Sequence, residues 1–402
     1  MTLAVKSKPY IIPEYSLTGD LLSYQTCGLQ YRYQNRGALP PSIPVQLWFG
    51  EFIHGVMEEA YKTWRTDPAS FRFPWSWEGE IRAIEMNVNR RLKAKGLRRP
   101  PRLFCPYDET MNTPGTCPDA DHPHKLLASR RAEAAINTWG PHLFPLIDNA
   151  EVKLKGCREM ISYQEGVHRS NYYGIKGIVD VISSVSIERV HAGNLIHHYI
   201  NANPEIRAMI DELSSLDYEI IIDYKGMRRP PVYLSQSVRN LTWNAHEWQV
   251  LTYAWLRSRQ VDAQRPIAGI IFYLNELVPS ADDIANLKQE LRDGLTDIQP
   301  TGRMDKQTLA KWKRGSKKSA LSPELREQRC IRLIPITEER RQQSLRAFDE
   351  VVAEIENSIV QEMRRGSIQG CWRPNPVEKT CTACDFKHIC PAVKGRYRMS
   401  VL

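Results

Sequence analysis

The order of apolar patterns along this 402-residue chain predicts an α/β protein, a mixed sheet flanked by helices. An amphipathic helical pattern at 46–65 comes first. Strand-like runs follow near 151–164, 172–185 and 218–226, and a helix at 244–258 then leads into a further strand at 266–275. The order helix, three strands, helix, strand makes a compact core with sheet edges open to insertions.

The bulk numbers agree. Hydrophobic content of 42% and charged content of 25% are those of a globular protein. No apolar run approaches the ~20 residues of a membrane-spanning helix. The start, M-T-L-A-V-K-S-K-P-Y, lacks the apolar core of a secretion signal, which predicts a cytoplasmic protein with reduced cysteines. The nine cysteines then point to thiolate–metal chemistry more than to disulfides. The net charge of +9 is concentrated in two places. Residues 82–102 hold eight Lys/Arg against one acid, and residues 301–332 hold ten against three. Two such patches on an otherwise acidic chain favour a polyanionic partner, although solvated charged loops would look the same.

In order along the chain, residues 16–34 read as a short capped helix carrying Leu21, Leu22 and Tyr24, with Cys27 at its end. Residues 46–65 make a strong helix with Phe49, Phe52, Ile53, Val56, Met57 and Ala60 in one stripe. His54 borders that stripe, where a histidine is ordinarily a satisfied core residue. Gly50 inside the helix costs about 1 kcal/mol relative to alanine and points to close packing there. Residues 66–148 are rich in Pro and Arg and read as an irregular insertion. Cys105, Cys117, His122 and His124 within it are zinc-ligand types, but their spacing fits no compact ligand pattern.

Glu151–Gly156 and Glu159–Gln164 read as a first strand and the start of a second. Tyr172–Val185 is a longer strand in which Asp180 sits among Ile178, Val179, Val181 and Ile182, where a carboxylate is either paired or functional. After a helix-leaning stretch at 186–216 comes Y-E-I-I-I-D-Y-K-G at 218–226, a β-branched run suited to a strand buried on both faces. Side chains alternate, so Glu219, Asp223 and Lys225 share one face, and Ile220, Ile222 and Tyr224 the other. Charges ending such a strand are either a structural Asp–Lys pair or a metal-binding carboxylate beside a lysine. In the helix at 244–258, Gln249 and Tyr253 lie one turn apart on one face.

Residues 276–335 are polar, with Trp312 in the basic stretch K-W-K-R-G-S-K-K suited to stacking on a base. Thr337 to about Arg365 is one long amphipathic helix. In the tail, Cys381, Cys384 and Cys390 give C-x2-C-x5-C. Three thiols this close need a fourth to hold zinc or an iron–sulfur cluster, and both Cys371 and the distant Cys27 qualify. The chain thus divides into an N-terminal helical part (1–65), a basic insertion (66–148), a sheet core (149–276), a second basic insertion (277–335) and a helical, cysteine-rich tail (336–402).

Taken together, G-E-F-I-H at 50–54, G-I-V-D at 177–180, D-Y-K at 223–225, Q-V-L-T-Y at 249–253 and Cys27 with the cysteine triplet resemble the PD-(D/E)XK nuclease superfamily. The RecB-like branch is the nearest, typified by the CRISPR-associated adaptation exonucleases and the AddB nuclease domain. The resemblance implies a restriction-endonuclease-like core whose chain ends are joined by a metal cluster. It implies that His54, Asp180 and Asp223 ligate Mg²⁺ or Mn²⁺, with the backbone carbonyl of Tyr224 completing the shell. Lys225 would orient the nucleophile, and Gln249 and Tyr253 would position DNA or the lysine. Glu151 and Glu219 remain reserve carboxylates. Cys27, Cys381, Cys384 and Cys390 would hold a 4Fe–4S cluster.

The function so implied is a metal-dependent DNA exonuclease acting on single-stranded ends, with helicase, CRISPR-adaptation or defence proteins as partners and no membrane. One alternative is a cluster-stabilised DNA-end-binding subunit that does not cut. Another is a zinc-bound regulator using Cys371 with the triplet.

Overall fold

The computed structural model describes residues 12–36, 45–106, 124–161, 169–186, 193–213, 217–232, 242–313, 315 and 321–396. A short strand, β1 (Glu14–Ser16), leads into α1 (Leu22–Thr26) and α2 (Gly28–Arg36), followed by α3 (Val45–Thr66), α4 (Arg82–Ala94) and α5 (Leu127–Leu143). Next come β2 (Asn149–Glu159), β3 (Tyr172–Ser186), α6 (Leu195–Ala202), α7 (Pro204–Asp211) and β4 (Asp217–Lys225). Then follow α8 (Thr242–Ser258), β5 (Pro266–Tyr273), α9 (Ala281–Asp293), α10 (Arg303–Lys311), α11 (Pro323–Cys330) and β6 (Ile331–Pro335). The helices α12 (Glu338–Arg365) and α13 (Glu378–Ala383) close the order.

The six strands form one open mixed sheet in the order β1-β3-β4-β5-β6, with β2 also pairing β3. The β2–β3, β3–β4 and β5–β6 pairs are antiparallel, while β1–β3 and β4–β5 are parallel. Parallel neighbours need a crossover, which α8 supplies between β4 and β5. The alternation expected for β4 is observed. Ile220, Ile222 and Tyr224 enter a core cluster with α3, α4 and α5, and Ile221 enters another with α8 and α12. With both faces covered, every residue of β5 is buried.

Several expectations change. β2 runs unbroken through Gly156, and no second strand begins at Glu159; residues 162–168 lie outside the described residues. Gly156 is a contact residue, since a Cβ there would lie 2.7 Å from the Trp255 ring. Gly177 is equally close under Tyr253, at 2.5 Å. These two glycines let α8 settle onto β2 and β3. Gly50, in contrast, has open space where its Cβ would be; the close approach is at Gly226, whose Cβ would meet Ile53 at 3.0 Å. The 66–148 stretch holds α4 and α5, with Trp75 and Trp139 buried in the first core cluster. Trp312 is buried with Leu309 and Leu325, so it offers no stacking surface.

Both ends of the fold meet on one side. Tyr15 donates to Glu356, Arg32 makes a two-pronged pair with Glu362 at 2.7 and 2.6 Å, and Trp372 packs edge-on to Tyr24. The N-terminal segment is thereby tied to α12. No helix among the described residues is long and apolar enough to cross a membrane.

Candidate active site

Asp180 on β3 is buried, and its Oδ2 accepts the Tyr224 backbone N–H at 2.7 Å. This bond crosses from β3 to β4 and fixes the carboxylate beside the end of β4. The Nδ1 of His54, from the middle of α3, lies 3.3 Å from the same oxygen. On the other side of β3, the pairings Ala150–Val181 and Val152–Val179 set Glu151 directly across from Asp180. Two carboxylates facing each other across a ladder repel. Glu151 also has φ +55°, a left-handed backbone that costs a non-glycine residue about 1 kcal/mol. Ligand atoms of His54, Glu151 and Asp180 all fall within 4.8 Å of one another. A strained backbone that aims one carboxylate at another fits a divalent cation between them.

Asp223 and Lys225 end β4 on the face the alternation assigned to them. The Lys225 Nζ lies 2.6 Å from Asp223 Oδ2 and donates to Gln249 Oε1 at 2.8 Å. The Gln249 Nε2 in turn donates to Asp223 Oδ1 at 3.2 Å and to the Tyr253 hydroxyl at 3.0 Å. Gln249 thus grips both charged residues of the D-Y-K motif, and Tyr253 holds Gln249. His54, Glu151, Asp180, Asp223, Lys225, Gln249 and Tyr253 all line one cavity of about 760 Å³. The four polar residues that the sequence scatters from 54 to 225 therefore converge. Within that cavity the tight trio contains Glu151, and Asp223 stands beside Lys225. Tyr224 enters the site through its N–H, with its ring edge-on to His54 on the core side.

The electrostatics follow from burial opposed by pairing. Burial disfavours the charge on His54, but Asp180 and then Asp223 outweigh it and lift the imidazole to about 9. At Asp180 burial is likewise overcome, by His54 and the Tyr224 N–H, and the carboxyl lies below its ordinary range. At Asp223 burial wins over Lys225, and the carboxyl lies above it. Burial and the facing Asp180 also raise Glu151. Perturbed titratable groups gathered in one cavity are the mark of a functional site.

Glu219, the other reserve carboxylate, is absorbed elsewhere. It forms a buried two-pronged pair with Arg257 at 2.9 and 2.7 Å. Of the residues in the zinc candidate, Cys105 Sγ lies 3.5 Å from His124 Nδ1, while Cys117 and His122 fall outside the described residues.

Four of the other cysteines form a second constellation. Cys27, Cys381, Cys384 and Cys390 surround one small hollow with Tyr33 and Phe386, and the Asn375 N–H points at Cys27 Sγ from 3.5 Å. Burial, then the neighbouring Cys27 and Cys390, push the Cys381 and Cys384 thiols up. No three of these sulfurs lie within 4.8 Å of one another. Four thiols around one hollow are the donor set that zinc or an iron–sulfur cluster takes. Cys371 is buried in the second core cluster, its thiol donating to the Ser367 carbonyl at 3.3 Å, away from this hollow.

No match is found among curated proteins. A family model described as the PD-(D/E)XK nuclease superfamily matches residues 19–391, from the segment before Cys27 to the residue after Cys390. The match spans nearly the whole chain, and with the mixed sheet and the cavity at its end it establishes that the chain belongs to the PD-(D/E)XK nuclease superfamily, whose members are metal-dependent nucleases.

Proposed function

We propose that this nuclease is an exodeoxyribonuclease acting on single-stranded DNA ends. The observation that carries the reading is the pairing, in one cavity, of an acidic His54–Glu151–Asp180 trio with a lysine held from two sides. His54, Glu151 and Asp180 would hold the divalent cation, with Asp223 and the Tyr224 carbonyl as further donors. The imidazole suits Mn²⁺ at least as well as Mg²⁺. When bound, the cation lowers the pKa of a water and polarises the scissile phosphate.

The chain's own groups do the rest. Lys225, fixed by Gln249 and Asp223, directs its ammonium to the attacking water and offsets charge developing on the phosphate. Tyr253 limits the motion of Gln249. Lys153 on the cavity wall attracts the phosphate backbone, beside Lys155 and Lys176, which share Glu14 as an ion-pair partner. The exposed cations of α4 and the loop after it extend that field, because Lys95 lies 3.8 Å from Glu51 on the cavity's edge.

Cys27, Cys381, Cys384 and Cys390 would hold a 4Fe–4S cluster with a structural role. Helicase, adaptation or defence partners follow from the resemblance to the RecB-like branch. The deciding experiment is digestion of single- and double-stranded DNA, labelled at either end, with Mg²⁺ or Mn²⁺. Progressive shortening of the single strand, abolished in Asp180→Ala and Lys225→Ala, is the expected result. Binding of DNA ends without cleavage in any divalent metal would replace this reading with that of an end-binding subunit.

A further inference from the structure

A second cavity, of about 580 Å³, adjoins the first and shares Thr18, Lys225 and Gln249 with it. Its size is in the ~300–1,000 Å³ range of small-ligand pockets. It forms where α1 with the turn before it, the first half of α8 and the start of α12 come together. Leu22, Ala245, Trp248, Leu251 and Ala347 supply apolar surface, and Asn244 and Gln343 add exposed amides.

The charges at this pocket are largely paired. Arg340 pairs with Glu205 at 3.0 Å and Glu247 at 3.7 Å, and Glu247 also pairs with Arg332 at 2.6 Å. Burial holds His246 neutral, down to about 2, beside the Tyr273 hydroxyl at 3.1 Å. A channel for phosphates would present cations open to the strand, as the first cavity does with Lys153. A charge-balanced pocket that mixes apolar surface with hydroxyl and amide groups instead suits a flat, neutral ligand with hydrogen-bonding edges.

We propose that this pocket takes an unpaired nucleobase of the strand being cut, next to the phosphate held at Lys225. The inference rests on the nuclease reading above, and it gives a reason for single-strand preference: a base paired in a duplex cannot enter. The pocket sets substrate class, and the first cavity does the chemistry.

The test uses the full-length protein with two probes, an oligothymidylate and an oligomer of equal length whose alternate nucleotides lack bases. Ala347→Phe fills the pocket from a half-buried position, and Asn244→Ala trims an exposed amide with little risk to folding. Both kcat/KM and binding by fluorescence anisotropy are measured. Stacking energies predict that Ala347→Phe weakens use of oligothymidylate by about tenfold and of the abasic oligomer by less than about twofold. Asn244→Ala shows a smaller difference in the same direction. Equal losses on both probes, or none, would overturn the proposal. Because anisotropy reads the pocket without cleavage, a base-dependent binding loss in a protein that never cuts would keep the pocket and sink the exonuclease.

Discussion

Glu151 faces Asp180 across the β2–β3 ladder in a left-handed backbone conformation, the one non-glycine residue with positive φ among the described residues. Strain and like-charge repulsion coincide at a single position, and a bound cation relieves the repulsion. Glu151→Gly should therefore raise the metal-free melting temperature, by an amount equivalent to about 1 kcal/mol. The same variant should lose most of the stabilisation that Mn²⁺ gives the wild type. Thermal melts with and without Mn²⁺ read both effects. A variant less stable without metal, yet still stabilised by it, would show that Glu151 is not a ligand.

Gln249 holds Lys225 and Asp223 at once, so its loss should loosen the lysine without emptying the site. Gln249→Ala is expected to lower kcat by about a hundredfold with KM little changed, the usual effect of a displaced reacting group. Tyr253→Phe, which removes only the hydroxyl that accepts from Gln249, should cost less than about tenfold. Steady-state kinetics on a single-stranded oligonucleotide separate these outcomes from a loss of DNA binding.

The position of the cysteines makes Cys27 and Cys371 a matched pair of controls. Cys27→Ala should yield protein with little bound iron and a markedly lower melting temperature. Joining Cys27 to Cys381 closes a loop of roughly 350 residues, for which chain entropy gives an upper figure of about 6 kcal/mol. Cys371→Ala should keep its iron and show only the modest cost of a small core cavity. Iron analysis of anaerobically purified protein decides, and equal iron loss in the two variants would refute the assignment.

Arg90, Lys93 and Arg98 are exposed at the end of α4 and beyond it. Replacing all three with alanine should weaken single-stranded DNA binding and flatten its salt dependence, by about 0.7 in logarithmic slope for each phosphate no longer neutralised. The turnover rate at saturating substrate should be unchanged. Binding curves from low to moderate salt would show it, and an unaltered slope would mean the strand leaves by another route.

Much of this was legible in the residues themselves. The faces of β4 follow from strict alternation, and α3 from its stripe, so His54, Asp223 and Lys225 could be placed from the sequence alone. Glu151 could not. In E-V-K-L-K-G it looks like one more solvent-facing charge on a half-buried strand, and only the register with β3 and the sign of its φ distinguish it. Gly156 suggested a break because glycine's role as a contact surface depends on Trp255, about a hundred residues later. β6 was hidden by its brevity and by a basic neighbourhood, since I-R-L-I-P becomes a strand only through pairing with β5. Trp312 misled in the opposite direction. Its lysine neighbours are exposed, but its ring finds a core made by α9, α10 and α11.

The tie between Tyr15, Arg32 and α12 has a bearing on biosynthesis. At ~5–20 residues per second, the ribosome delivers Glu356 and Glu362 on the order of half a minute after it delivers their partners. Throughout that interval the nascent N-terminal segment lacks the helix it packs against and the cysteines that face Cys27. The N-terminal segment can therefore be tied down only once α12 has been made, 330 to 341 residues later.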